Sequence, residues 1–263
     1  MKNFVVNLLN IVSSLGRFFI TVFQSIGKII LFFFSSLYWC ARPPFYLKQT
    51  YNQILDIGFF SLPVVGLTTF FSGMVLALQT FSGFQNFNNE DTISKIVLTS
   101  ILRELGPVLA GLMVAGRVGA KMAAEIATMR VSNQIDALET LATRPIQYLI
   151  APRLIAAILC VPFLVLIGNI IGVFGGFVVA VFKLDFNASI YIVSTFEHVK
   201  YLDILQGMVK ALVFGIIITI ISCFFGFHAL GGAEGVGRAT TTAVVTSSVL
   251  ILTSTYFITA LFI

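Results

Sequence analysis

Five stretches of the chain are nearly unbroken runs of apolar residues: 54–80, 93–118, 151–182, 202–229 and 240–263. A helix that crosses a bilayer needs about 20 mainly apolar residues, each rising about 1.5 Å. Each run therefore predicts one spanning helix. Glycine and other small residues recur within the runs, as close helix–helix packing in a membrane requires. Residues 1–38 follow a different pattern. Lys2, Arg17 and Lys28 recur there among Phe, Ile, Leu and Val, together with Asn, Ser and Gln. This pattern predicts an amphipathic helix in the membrane interface, or a sixth, tilted membrane helix within 18–38, and leaves both open. Arg42-Pro43-Pro44 then ends any helix. The start of the chain lacks a small-x-small cleavage site and is expected to be retained. The expected fold is an all-α integral membrane protein. It has an N-terminal helical region over 1–50 and a transmembrane domain of about five helices over 51–263.

The longest polar interruption between runs, residues 121–153, also reads as helical. Apolar Ile126, Met129, Ile135, Leu138 and Leu141 alternate with polar Glu125, Arg130, Gln134, Asp136 and Glu139 over 122–142, and Arg144-Pro145 ends the segment. A short amphipathic helix between two spans either lies on the membrane or docks into the groove of another protein.

Composition agrees with the pattern. The chain is 58% hydrophobic and 10% charged, with a mean hydropathy of +1.00. A soluble domain is about 45–50% apolar and about 25% charged. So few charges exclude a soluble enzyme, a nucleic-acid-binding module and a disordered protein. The net charge of +5 comes from scattered basic residues and makes no nucleic-acid patch. It does orient the chain. Arg42, Lys48, Arg117, Lys121, Arg130, Arg144, Arg153 and Arg238 fall on one side of the five spans, against Lys95, Lys183 and Lys200 on the other. The positive-inside rule places the first group, and the N-terminus, in the cytoplasm. Glu90, Asp91, Asp185 and Glu197 accompany the second group, and the C-terminus falls outside.

Three charges lie inside the runs: Arg103 and Glu104 in the second, and Lys210 in the fourth. Such residues usually face a bundle interior or a wet cavity. Arg103 and Lys210 are expected at similar depth, about 15 and 12 Å from the outer ends of their spans. One reading pairs Glu104 with Lys210 or Arg103 as a structural contact. The other makes the three a net positive patch on the path of an anionic or zwitterionic ligand. Pro107, one turn on, is placed to kink its span.

Other features are plainer. The hydroxyls of the last span, among them Thr242, Thr246 and Thr253, read as bonds back to their own helix. The glycines from Gly231 read as a tight turn. GRVGAKMA does not satisfy the phosphate-loop pattern, so ATP-driven work would need a separate ATPase chain. No cofactor is expected. Cys40, Cys160 and Cys223 form no CxxC pair, and a zinc site or disulfide framework finds no support. His198 and His228 are predicted on opposite sides of the membrane, which argues against an intramembrane enzyme.

Residues 102–157, LRELGPVLAGLMVAGRVGAKMAAEIATMRVSNQIDALETLATRPIQYLIAPRLIAA, closely resemble the MlaE/YrbE-type permease of bacterial ABC lipid transporters. GRATTTAVVTSS, 237–248, is similar to that family's second motif. The resemblance covers roughly 40–263. It implies a permease homodimer in the inner membrane of a Gram-negative-type cell. It also implies a cytoplasmic ABC ATPase that binds ATP, a periplasmic MCE-domain protein above the dimer, and phospholipid moved between the inner and outer membranes to keep the outer leaflet asymmetric. The family's coupling helix maps onto 125–141, which favours docking over a surface helix. It makes Glu125, Met129, Arg130, Asp136 and Leu138 the expected ATPase contacts. The family's charged lipid-cavity residues match Arg103, Glu104 and Lys210. An acidic residue that some members carry in the last span corresponds here to about Thr255, so a mechanism relying on that carboxylate is not expected to transfer. The rival transport reading is a self-contained ion-coupled carrier with Glu104 as proton relay.

Overall fold

The computed structural model describes residues 2–83 and 90–262. Within the first helix, side chains are described at Gly16, Arg17 and Ile20 and from Phe23 onward. The side chains of Lys2 and Glu90, two of the charges read above, lie outside the described residues. Every regular element among the described residues is helical. The helices are α1 (Lys2–Cys40), α2 (Leu47–Ile57), α3 (Leu62–Gly83), α4 (Glu90–Ser100), α5 (Gly106–Val114) and α6 (Ala120–Val131). They continue with α7 (Gln134–Thr140), α8 (Ala151–Phe182), α9 (Ala188–Glu197), α10 (Tyr201–Phe227) and α11 (Gly232–Phe262).

Among the described residues, six helical segments are long and apolar enough to cross a membrane: Phe23–Cys40, Leu47–Gly83, Asp91–Val131, Ile146–Phe182, Tyr201–Phe227 and Gly232–Phe262. The chain is a multi-pass membrane protein. The expected break at Pro43-Pro44 is present, and the one expected at Arg144-Pro145 falls just before Pro145, over residues 141–144. α8 occupies the predicted run 151–182, and α10 matches its run to within two residues.

Three expectations are corrected. The second span does not stop at 118, because α4, α5 and α6 form one helix joined by two π-helical turns, Ile101–Leu105 and Ala115–Gly119. Its 41 residues reach about 60 Å, twice a hydrocarbon core of about 30 Å. The single helix expected over 122–142 is two. α6 continues the span, and Asn133 in the left-handed region (φ 57°) turns the chain into α7. Asn tolerates that conformation because its side chain is short and polar. The glycine-rich segment from Gly231 is a turn only at Gly231 and Gly232, with φ of 97° and 66°. Gly235 and Gly237 already lie in α11, which begins eight residues before the predicted run.

α3 and α8 pack almost backbone to backbone. A Cβ on Gly73 would sit 1.9 Å from the Gly172 carbonyl oxygen, and one on Gly175 would sit 2.3 Å from that of Phe70. Small residues permit this approach where helices lack a hydrophobic drive to associate. The central core gathers Val114 and Val118 from the long helix, Val161 and Leu164 from α8, and Phe214 and Ile218 from α10. α9 packs on α4 at one end of the molecule, and α7 follows α6 at the other. α1 joins that second end: Phe32 meets Phe224 at 5.6 Å, and Cys40 Sγ approaches the Ala151 carbonyl at 3.8 Å.

Candidate functional site

The three intramembrane charges converge. Lys210 Nζ donates to Glu104 Oε1 at 2.6 Å and to the Arg103 carbonyl at 2.7 Å. Pro107 explains why that carbonyl is free. A helical residue at 107 would donate its N–H to residue 103, and proline has none. The π-helical turn Ile101–Leu105 absorbs the mismatch, and the lysine satisfies the orphan acceptor. The kink expected at Pro107 thus takes the form of a widened turn.

Arg103 does not pair with Glu104. Its Nε and Nη2 both donate to Asp203 Oδ1 at 2.7 Å. Thr259 of α11 donates its hydroxyl to Glu104 Oε1 at 2.8 Å. The site is therefore two cations and two carboxylates, and the expected net positive patch is overturned. Of the two structural pairings weighed for Glu104, the structure adopts the one with Lys210. Burial is uneven. Lys210 and Asp203 are 0% and 2% exposed, whereas the Arg103 and Glu104 side chains keep 41% and 39%. Each pair has a buried anchor on α10 and an accessible partner on the long helix.

The sequence reading missed Asp203 and Thr259. Asp203 stands third in α10 and reads as a helix-start acid, and Thr259 reads as one more back-bonded hydroxyl. A signal for Asp203 was available: Asp203, Gln206, Gly207 and Lys210 are buried at i, i+3, i+4 and i+7, a single helical face. Gly207 lets that face close on the π-helical turn, since a Cβ there would lie 2.6 Å from the Leu102 carbonyl oxygen. Thr255 bonds to the Ile251 carbonyl at 2.8 Å, within its own helix.

The residues expected to meet an ATPase cluster at the α6–α7 turn. Arg130 Nη1 contacts Asp136 Oδ1 at 2.6 Å across the Asn133 bend. Met129 and Leu138 pack partly buried against Ile126, Ile135 and Phe224. Glu125 is engaged internally, with buried Arg153 at 2.9 Å and Lys121 at 3.8 Å. Lys121 also reaches Asp56 at 2.8 Å and ties α6 to α2. Leu141, just beyond α7, is 74% exposed.

The profile of the family described as "Permease MlaE" matches residues 50–261. The chain belongs to the MlaE permease family. This MlaE-family permease is 59% identical over 255 residues to a probable ABC transporter permease protein of Rickettsia felis, covering 97% of this chain and 98% of that one. It is 58% identical over 255 residues, with the same coverage, to a probable ABC transporter permease protein of Rickettsia bellii. It is 33% identical over 255 residues, again covering 97% and 98%, to the intermembrane phospholipid transport system permease protein MlaE of Haemophilus influenzae. The chain is thus an ABC transporter permease of the MlaE family. The matched region holds both the charged site and the α6–α7 turn.

Proposed function

We propose that this permease moves phospholipid between the inner and outer membranes and contributes to outer-membrane lipid asymmetry. It works as a homodimer in the inner membrane, with a cytoplasmic ABC ATPase and a periplasmic MCE-domain protein. The observation that carries this reading is the uneven burial of the site. Arg103 and Glu104 each present an accessible charge of opposite sign inside a membrane helix, held from behind by Asp203 and Lys210. A zwitterionic phospholipid head group has both complementary charges, and an anionic one has the phosphate that Arg103 would take. The ATPase meets the α6–α7 turn through Arg130, Asp136, Met129 and Leu138, and Glu125 braces the turn from within. This chain binds no ATP and performs no covalent chemistry.

The N-terminus lies in the cytoplasm. Phe32 and Cys40 of α1 stand about 12 Å apart along the helix, yet both contact the α7-side ends of α8 and α10. That supports α1 lying along the cytoplasmic face beside five spanning helices.

The test is reconstitution of the permease with its ATPase and MCE-type partner between donor and acceptor vesicles carrying labelled phospholipid. Transfer is expected only with all partners and ATP. Transfer by the permease alone, driven by a proton gradient, would replace this reading with the ion-coupled carrier. In cells, Arg103→Ala/Glu104→Ala is expected to weaken detergent resistance while the protein still inserts. Normal resistance would remove these two residues from the lipid path.

A further inference from the structure

Two arginines at the α7-side end of the molecule keep their hydrogen-bonding capacity unspent. Arg42 lies over the ring of Tyr38, its guanidinium carbon 4.4 Å from the centroid, and Arg144 lies over Trp39 at 4.0 Å. The two rings belong to consecutive residues and meet edge to face at 5.1 Å. Both arginines are exposed, and neither side chain donates a hydrogen bond among the described residues. By contrast, Arg103, Arg117, Arg130 and Arg153 each donate to an oxygen of the protein. A guanidinium held on an aromatic ring keeps its N–H fork available, and that fork matches a phosphate.

The two arginines are held in place from the backbone. Residues 38–46 and 144–148 come from the end of α1 with its proline loop and from the approach to α8, and three contacts pin them together. The first is Arg144 on Trp39. In the second, buried Gln147 donates its side-chain amide to the Arg42 carbonyl at 2.9 Å. In the third, Tyr46 meets Tyr148 edge to face at 4.9 Å.

Charge and depth say what such a platform receives. Neither 38–55 nor 141–182 contains an Asp or Glu, and Lys48 adds a third cation. Tyr38, Tyr46, Tyr51 and Tyr148 are four of the seven tyrosines, and Trp39 is the single tryptophan. Tyr and Trp gather at the level of lipid head groups. Phe45 and Leu47, in the same segment, are 58% and 76% exposed, as suits contact with the membrane.

We infer that this platform is a head-group site for a phospholipid of net negative charge. The lipid belongs to the leaflet at the α7 side, the cytoplasmic one in the orientation proposed above. Its phosphate oxygens accept from the free N–H groups of Arg42 and Arg144. The site differs from the one at Arg103 and Glu104, where cations and carboxylates balance: here the cations stand without a carboxylate. It holds a resident lipid that ties α1 and the chain after α7 to the leaflet, and it does not depend on which lipid is transported.

Trp39, as the single tryptophan, is the reporter. The full chain is reconstituted in phosphatidylcholine bilayers. Phosphatidylglycerol brominated on the upper part of its acyl chains is titrated in, and phosphatidylcholine brominated in the same way is the comparison. Trp39 fluorescence is expected to be quenched at about tenfold lower mole fraction of the anionic lipid, the scale set by two basic residues beside an anionic head group. Arg42→Gln/Arg144→Gln should bring the two lipids level. Arg42→Lys/Arg144→Lys keeps the net charge, loses the fork and should lose most of the preference. Equal quenching by the two lipids in the wild type overturns the site, and that comparison needs no variant to fold. A preference unchanged in the lysine variant also overturns it, because surface potential alone would then explain the effect. Loss of the preference in millimolar inorganic phosphate would assign the arginines to a free anion, and its loss on adding the ATPase would assign this face to that partner. Either result overturns the lipid assignment.

Discussion

Lys210 Nζ lies 2.6 Å from Glu104 Oε1, and the two ends of this ion pair live in different surroundings: the lysine is fully buried and the carboxylate is partly open. The pair is consequently asymmetric. Removing the carboxylate strands a cation in the protein interior. Removing the cation leaves a carboxylate that is not enclosed and keeps its bond to Thr259.

Glu104→Ala should therefore destabilise more than Lys210→Met. Orphaning a buried charge costs about 3–5 kcal/mol, and the buried partner here is the lysine. Lys210→Met keeps volume and loses the charge, with Thr259 still bonded to the carboxylate. The double variant should recover most of the Glu104→Ala loss. Thermal unfolding in detergent checks the ranking, and equal losses for the two single variants would contradict the asymmetry.

The same logic applies to the second pair. Arg103→Ala leaves Asp203 buried without the partner it has in this structure, whereas Asp203→Asn leaves an arginine that is only partly enclosed. Arg103→Ala is expected to lower the melting temperature more than Asp203→Asn. Asp203→Asn should instead strengthen retention of anionic lipid, because the guanidinium is released. Quantifying co-purified phosphatidylglycerol against phosphatidylethanolamine reads this directly.

Gly73 and Gly116 should respond in opposite ways to alanine. At Gly73 the new methyl would meet the Gly172 carbonyl at 1.9 Å, so α3 and α8 must separate. Overpacking of this kind costs about 1–3 kcal/mol. Nothing lies within 4 Å of a Cβ on Gly116, and removing a helical glycine there should gain about 0.5–1 kcal/mol. Melting temperatures of the two single variants decide the matter.

At the α6–α7 turn, stability and coupling should separate. The Arg130–Asp136 pair is largely exposed, and such pairs contribute about 0–1 kcal/mol. Arg130→Ala/Asp136→Ala should keep the fold and lose ATPase co-purification. Glu125→Ala should lower both, since it removes the carboxylate that holds buried Arg153. Pull-down of the ATPase beside thermal unfolding distinguishes the two variants.

The sequence made much of the architecture legible, because burial in lipid demands long apolar helices and leaves little else to choose. α8 and α10 follow from their hydropathy alone. The extent of the long helix does not. Ala120–Val131 carries charges at Lys121, Glu125 and Arg130, so hydropathy ends before 131, while the backbone continues on contacts with α10 and α11. The beginning of α11 was hidden for a related reason: glycine favours turns in isolation, yet Gly235 and Gly237 sit in helix. In the site, rarity marked the residues that no loop explained. Asp203 escaped because its position near a span end explains a charge without any partner. Pairing between distant helices is a property of packing, and no local pattern encodes it.

Arg103 and Arg130 belong to one unbroken helix, roughly 40 Å apart along its axis. A rod of this kind behaves as a crankshaft: its two ends share a single rotational phase. The widened turns at Ile101–Leu105 and Ala115–Gly119 set that phase. Each residue gained or lost within the second turn would rotate the Arg130 end against the Arg103 end by about 100°. Under the proposed function, the angle at which the ATPase would grip the α6–α7 turn is thereby geared to the direction in which the charged site faces.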